Sequence, residues 1–134
     1  MSLIFIHEFQ KTLYDSLVTD QNLIKLTNKI YIGPSVNPQA PFITIRFSEL
    51  EDKSQFQQII FNIDFIISIY VQAKHYQQLT NIADLIITNV GQLKHISNEC
   101  QLIGVKVNKI NFIDGKDLAI HKADIHFKSS ITKR

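Results

Sequence analysis

The side chains that could do chemistry in this chain are five histidines and one cysteine, and their spacing does not assemble a site. No two histidines stand four positions apart, as two ligands on one helix face would, and no His-x-His pattern is present. The last two histidines are five positions apart, which puts them on opposite faces of an extended strand. We therefore expect neither a metal site nor a cofactor. The five are His7, His75, His95, His121 and His126.

Cys100 is the only cysteine, so it belongs to no intramolecular disulfide and no multi-cysteine metal site. A nucleophilic role with a distant histidine is conceivable, but no G-x-S-x-G turn or cysteine motif orients such a site. The four glycines are isolated, which excludes a phosphate-binding loop and a dinucleotide fingerprint. The sequence favours an unreactive structural cysteine in a reducing compartment.

Carboxylates cluster in one polar stretch. Glu49, Glu51 and Asp52 are expected in an extended hairpin or an ordered loop that joins two strands. Such a segment could contact a partner or hold a hard cation, and a solvated hairpin tip is the simpler interpretation. Asp64 stands apart, either as a buried acid or, as we favour, paired with Arg46 or with a lysine on the neighbouring strand.

The clearest structural pattern is a long alternating run near the middle of the chain. Every odd position from Ile59 to Val71 is apolar, which predicts a β-strand over 58–72 with one fully buried face. The other face is less polar than a solvated sheet face usually is, so part of it should meet a helix, a loop or another subunit. Its apolar residues are Ile60, Ile66 and Tyr70.

Apolar residues at helical spacing predict three helices. One covers 3–18 and another covers 76–93. A short helix between them begins after an N-cap at Asp20 or Thr19.

Four further segments are expected to be extended. They are 29–32, 42–50, 102–113 and 118–131. The last two flank the turn signal Asp114-Gly115 and should form a hairpin, with a β-bulge near 108–109 where the alternation changes phase. The strand at 42–50 should pair antiparallel with the long strand, and three prolines make 33–41 a loop.

Bulk composition sets the class of protein. With 134 residues and 45% hydrophobic content, the chain should form a single domain over 1–134. The order of elements predicts an α+β fold, with a largely antiparallel sheet of four to five strands packed against an N-terminal helix pair and one central helix. A net charge of +2 without a basic run argues against sequence-specific nucleic-acid binding. No apolar run approaches the ~20 residues of a membrane span, so no membrane partner is expected.

The succession of segments resembles the tail-completion or tail-terminator family of tailed bacteriophages and gene transfer agents. The resemblance starts with the helical turn that leads into Lys-Ile-Tyr-Ile-Gly-Pro at 29–34 and with Ala-Pro-Phe-Ile-Thr-Ile-Arg at 40–46. The strand at 61–70, the helix at 76–93 and the hairpin at 105–127 follow in the order that the family has. The resemblance therefore spans nearly the whole chain.

This resemblance implies a structural protein without catalytic residues that caps a tail tube, commonly as a ring of six, and presents a surface to the head connector. Its partners would be further copies, a tail-tube protein and a head–tail connector protein. It would lie in the cytoplasm during assembly and in the virion tail afterwards. The residues we expect at its interfaces are Glu49, Glu51 and Asp52, as a loop at the lumen or the tube contact, with Ile60, Ile66 and Tyr70.

Two other classes stay open on the sequence. One is a small dimeric α+β module that binds a ligand or has a regulatory role, and the other is an enzyme with unfamiliar chemistry. The mass of the protein in solution separates the first of these from a ring.

Overall fold

The computed structural model describes residues 3–34, 39–115 and 119–133, and within these ranges the chain has the predicted α+β fold. A single turn of 3-10 helix, Ala73–His75, follows the third strand. The elements in chain order are α1 (Ile4–Val18), α2 (Gln21–Ile24), β1 (Lys29–Ile32), β2 (Phe42–Asp52), β3 (Ile60–Gln72), α3 (Gln78–Gly91), β4 (Cys100–Asp114) and β5 (Ile120–Lys133).

The five strands form one sheet in the order β1-β2-β3-β5-β4. The β2–β3 and β4–β5 pairs are antiparallel, as predicted, and β5 also pairs antiparallel with β3. The short β1 is parallel to β2 and covers only its first four residues, Phe42 to Ile45. Among the described residues, β2 beyond Ile45 is therefore one free edge, and β4 from Ile103 onward is the other, since residues 94–97 bond to the start of β4.

Both long helices lie on one side of the sheet, which we call the core face. On α1 the apolar side chains recur every four residues, so that Phe5, Phe9, Leu13 and Leu17 all reach the core. On α3 the buried side chains likewise follow helical spacing. They are Leu79, Ile82, Ala83, Ile86 and Val90. Among the described residues, none of the helices combines the length and the apolarity needed to span a bilayer.

Phe65 on β3 is the centre of the core. It has no exposed surface. Its ring stacks on Phe127 of β5 with centroids 4.9 Å apart and meets the edge of Phe9 of α1 at 5.4 Å. Such pairs add to the free energy of simple burial, so this cluster ties the central strands to the first helix.

Polar contacts fix the helices to one another. The Asp20 carboxylate accepts from the backbone N–H groups of Asn22 and Leu23 at 3.0 and 3.2 Å, which confirms the predicted N-cap of α2. Asn89 on α3 hydrogen-bonds the side chain of Ser16 and donates to its backbone carbonyl at 3.0 Å. These bonds lock α3 against the end of α1.

The acidic stretch at 49–52 is part of a β-hairpin. Of the two predicted forms, an extended hairpin and an ordered loop, the structure has the first. Glu49, Glu51 and Asp52 all lie within β2, which continues to Asp52 because its ladder with β3 extends to Phe61. Leu50, between them, packs against the core, so the strand keeps one apolar anchor in this polar run.

The connection between β2 and β3 is a tight turn farther along the chain. Gln55 and Gln58 exchange two backbone hydrogen bonds of 2.9 Å, with Phe56 and Gln57 between them. β3 consequently begins at Ile60, and the prediction that Ile59 belongs to the buried face is wrong, since 43% of Ile59 is exposed. The remaining odd positions of β3 are buried as predicted.

Several element boundaries also differ from the predictions by a few residues. α3 is shorter than predicted at both ends, since Tyr76 lies in the turn that precedes it. The predicted bulge on β4 is confirmed between Val107 and Lys109, and a second one lies between Leu102 and Gly104. Parts of the predicted loop at 33–41 and of the last hairpin turn, at 35–38 and 116–118, lie outside the described residues.

Replacing Phe65 tests the aromatic cluster. We expect Phe65→Ala to lower the free energy of unfolding by about 3–5 kcal/mol, because it leaves a cavity among three other rings. The matched control is Phe56→Ala, which removes a side chain that is 91% exposed and should change stability by less than about 0.5 kcal/mol. Urea denaturation measures both, and equal losses would contradict the assignment of the core.

Candidate interaction surface

The side of the sheet opposite α1 and α3 is the candidate functional surface, and we call it the open face. Residues paired directly across antiparallel strands share a face, so the even positions of β3 and their partners on β2 and β5 all lie on it. On β3 these residues are Ile60, Asn62, Asp64, Ile66, Ser68, Tyr70 and Gln72.

Five of the six residues predicted for an interface lie on the open face. They are Glu49, Glu51, Ile60, Ile66 and Tyr70. Asp52 does not join them, because it is paired with Phe61 and so lies on the core face. The three carboxylates that are adjacent in sequence are therefore divided between two surfaces.

Asp52 lies instead at the rim of an apolar pocket at the start of α1. The pocket has a volume of about 310 Å³, and Phe5 and Ile59 are among its lining residues. Hydrogen bonds from the side chain and then the backbone of Ser54 lower the pKa of Asp52 below its ordinary value. Asp52 thus stays ionised beside an apolar concavity.

Four charged side chains form a row across the open face, with one residue from each of four neighbouring strands. Glu49 of β2 is paired with Asp64 of β3. Asp64 is paired with Lys128 of β5, and Lys128 with Lys106 of β4. We call these four residues the charge row. Its signs run negative, negative, positive, positive from one edge of the sheet to the other.

The inner pair of the charge row attracts and the two outer pairs repel. Asp64 Oδ2 lies 4.0 Å from Lys128 Nζ, which confirms that a neighbouring lysine is the partner of Asp64. Glu49 beside Asp64 and Lys106 beside Lys128 are like charges directly opposite each other, an arrangement that destabilises an isolated sheet. The chain therefore carries a repulsive arrangement on a surface that its own helices do not cover.

The charge row lines a broad groove of about 770 Å³ on the open face. Glu51 adds to its acidic side and forms an ion pair with Lys53. The hydrogen bond to Glu51 raises the pKa of Lys53 above its ordinary value. The groove is polar and wide, unlike the enclosed apolar pockets that small ligands usually occupy.

In the middle of the open face, side chains of the sheet bury one another. The Ser68 hydroxyl donates to Asp124 Oδ1 at 2.6 Å, and Lys122 Nζ lies 3.4 Å from the same oxygen. Asp124 lies on the open face of β5 and is buried, since only 7% of it is exposed. Ile66 is equally buried, so its apolar surface needs no second copy to cover it.

An aromatic row lies at the other end of the open face. Phe42 stacks on Tyr70 with ring centroids 4.3 Å apart, and Tyr31 meets the edge of Phe42 at 5.9 Å. Lys29 and Lys122 lie over the outer rings of this row, 5.2 and 5.3 Å from the centroids of Tyr31 and Tyr70. The rings bury one another's apolar surface. This contact explains why the sequence places an aromatic residue at Tyr70, on the otherwise more polar face of β3.

Exposed apolar side chains concentrate at the two ends of the sheet. At the end where β3 begins, Phe56 projects from the β2–β3 turn with 91% of its surface exposed. Ile4 and Ile59, which line the apolar pocket at the same end, are exposed as well. At the opposite end, Phe112 of β4 is 57% exposed on the core face, and Ile113 of β4 and Ile120 of β5 are exposed on the open face. Both ends therefore present apolar surface to a partner.

The histidines are dispersed over both faces of the sheet and its connections. His121 bonds Asp114 at 2.7 Å on the core face, whereas His126 approaches Asn111 at 3.3 Å on the open face. Within the described ranges, no three His, Cys, Asp or Glu residues are close enough to hold a metal ion. Cys100 is buried, and this burial raises the pKa of its thiol.

Sequence reasoning missed several members of this surface. Phe42 precedes the alternating part of β2, and only its pairing with Tyr70 reveals the aromatic row. Lys106 and Lys128 are far apart in sequence, so the charge row depends on β5 lying between β3 and β4. The even spacing of Lys122, Asp124, His126 and Lys128 is the signal that marks the open face of β5.

Comparison with solved structures shows that this fold occurs in a virion particle and in a bacteriophage protein. A chain of the "Virion of native gene transfer agent (GTA) particle" superposes with a TM-score of 0.80 at 18% identity, over 98% of this chain and 99% of that one. The gp17 protein of bacteriophage SPP1 superposes with a TM-score of 0.62 at 14% identity, over 96% and 91% of the two chains. No protein-family model and no curated protein sequence matches the chain. The resemblance inferred from the sequence is thus confirmed at the level of the fold.

Removing the Ser68 hydroxyl tests the polar centre of the open face. We expect Ser68→Ala to lower the free energy of unfolding by about 1–3 kcal/mol, because the buried Asp124 carboxylate loses a hydrogen bond that water cannot replace. Ser130→Ala is the matched control, since Ser130 and its partner Asn62 are only half buried. A loss for Ser130→Ala as large as that for Ser68→Ala in urea denaturation would contradict the burial of this centre.

Thiol labelling tests the environment of Cys100. Because burial raises the pKa of Cys100, less thiolate is present at any given pH, and labelling should be slower than for an exposed thiol. The labelling rate should also continue to rise with pH beyond the point where the rate of an ordinary cysteine levels off. Iodoacetamide should modify the native protein slowly and the urea-unfolded protein at the rate of an ordinary cysteine. Rapid modification of the native protein near neutral pH would contradict this assignment.

Proposed function

We propose that this protein is a structural tail-completion protein of a phage or gene transfer agent, which caps the tail tube as a ring and joins it to the head connector. The observation that carries the proposal is the superposition over nearly the full length of both chains with a component of a gene transfer agent virion. A shared fold alone does not specify a function. The surfaces of the chain supply the remaining support.

The two exposed apolar ends fit a protein that joins two different partners. Groups of exposed apolar side chains mark protein contacts, and here two such groups lie at opposite ends of the strands, around Phe56 and around Phe112. A cap between a tube and a connector needs one contact on each side. We therefore propose that one end of the sheet docks on the tail tube and the other on the connector.

The open face fits contacts to further copies of the chain. Like-charged neighbours such as Glu49 and Asp64 repel in the isolated chain, and a neighbouring copy that brings lysines to them would relieve the repulsion. Glu51, Ile60 and Tyr70 lie on the same face and would border this contact. Asp52, on the core face near the Phe56 end, belongs instead to the proposed tube or connector side.

The same surfaces favour a structural role over catalysis. The groove that the charge row lines is open and polar, which suits a contact with another protein better than a small substrate. A stable dimer that retains a small molecule in the apolar pocket beside Phe5 would instead favour a ligand-binding module.

Genetic deletion in the producing strain tests the function. Without the protein, lysates should contain heads and tail tubes that are not attached to each other, and a plasmid copy of the gene should restore joined particles. Electron microscopy of negatively stained lysates counts the two populations. Joined particles in the deletion strain would overturn the proposal.

Variants of the two apolar ends test the docking sites. Phe56→Asp and Phe112→Asp should each reduce the number of joined particles by about tenfold or more, because a charge replaces an apolar anchor at a protein contact. Stability should change little, since both side chains are exposed. Phe56→Leu and Phe112→Leu are the matched controls that keep apolar contact. Normal joining by both aspartate variants would contradict these docking sites.

A further inference from the structure

The charge row ends at two free strand edges of opposite charge. Glu49 lies in the part of β2 beyond Ile45, where β1 no longer pairs with it. Lys106 lies on β4. Residues 94–97 bond to the first residues of this strand, Cys100 to Leu102, and from Ile103 onward β5 is its one partner among the described residues. The negative end of the row and its positive end are thus both available to another chain.

The strand directions suit a lateral contact between copies. Since β2–β3, β3–β5 and β5–β4 are all antiparallel pairs, β4 runs opposite to β2. If a second copy lies beside the first in the same orientation, β4 of one copy is therefore antiparallel to β2 of the next. Antiparallel edges are the arrangement in which short segments pair most readily.

The levels along the strands also agree. Glu49 and Lys106 are at one level of the sheet, because Asp64 and Lys128 connect them in register. In such a contact, Lys106 of one copy meets Glu49 of the next. The contact adds an attraction between opposite charges at each end of the row, and this attraction offsets the repulsion between like-charged neighbours within each chain.

The edge strand β4 has features that limit its pairing with the edges of unrelated sheets. Two bulges interrupt it, and lysines 106 and 109 lie along it. Bulges and lysines on an edge strand discourage aggregation with other sheets. Ile103, at the first bulge, is nevertheless 56% exposed, which gives this edge one apolar contact near Lys106.

We propose that copies of this chain associate head to tail, with the β4 edge around Lys106 of one copy against the β2 edge around Glu49 of the next. A contact between two different patches repeats from copy to copy and closes into a ring when the rotation allows. The inference deepens the proposed function by naming the lateral contact of the ring. It is tested on the purified chain alone, so it can fail or hold independently of head–tail joining.

Charge reversal tests the pairing between copies. Lys106→Glu and Glu49→Lys should each weaken self-association by about tenfold or more in sedimentation velocity at low salt. The double variant Glu49→Lys/Lys106→Glu should restore it. Within one chain these two residues are three strand spacings apart, about 14 Å, so such a rescue reports a contact between copies. The matched control is Lys11→Glu/Asp15→Lys, which exchanges an exposed ion pair on α1 and should have no effect.

Disulfide trapping tests the head-to-tail geometry. In a Cys100→Ser background, the variant Glu49→Cys/Lys106→Cys should give an oxidation ladder of dimers, trimers and larger species on non-reducing gels. The two cysteines are too far apart to bridge within one chain, and either single cysteine variant should stay monomeric. A ladder that stops at dimers, the absence of cross-linking up to millimolar protein, or a double charge reversal that fails to rescue would overturn the proposal.

Discussion

The packing of both long helices on one side of β3 is the constraint on which the rest of the molecule depends. Phe65 is enclosed by rings from α1, β2 and β5, and the odd positions of β3 are buried on either side of it. Burial of each such side chain contributes roughly 1.5–3 kcal/mol to the free energy of folding. This gain favours the arrangement in which the apolar side chains of the strands lie on the core face. The polar residues of the same strands are consequently collected on the open face, where the charge row forms.

Favourable contacts stabilise the centre of the open face and the end that carries the aromatic row. At the other end, the charge row places like charges next to each other. Ser68, Asp124 and Lys122 satisfy one another, and the rings of Phe42 and Tyr70 stack. The charge row alone places like charges side by side. Local conflicts of this kind tend to occur at functional sites, because the interaction that resolves them comes from a partner. The proposed contact between copies supplies that interaction without any change in the chain.

Sequence reasoning succeeds here where the signal is local. The alternation of β3, the N-cap at Asp20 and the bulge near Lys109 each follow from a few neighbouring residues, and all are present in the structure. It fails where a long-range pairing decides the outcome. The acidic run from Glu49 to Asp52 is compatible with a hairpin or a loop on local grounds, and only its ladder with β3 shows that it is a strand. Asp124 belongs to the polar face of β5 by its alternation, and only the structure shows that Ser68 and Lys122 surround it. The position of β5 between β3 and β4 is equally invisible to local patterns, and the charge row depends on it.

Cryo-electron microscopy of the particles made by the producing strain tests the central claim most directly. The account predicts that density for this chain forms a closed ring between the tail tube and the head connector, with the two apolar ends of each sheet in contact with different proteins. Density for the chain elsewhere in the particle, or complete particles whose tube meets the connector without it, would contradict the account.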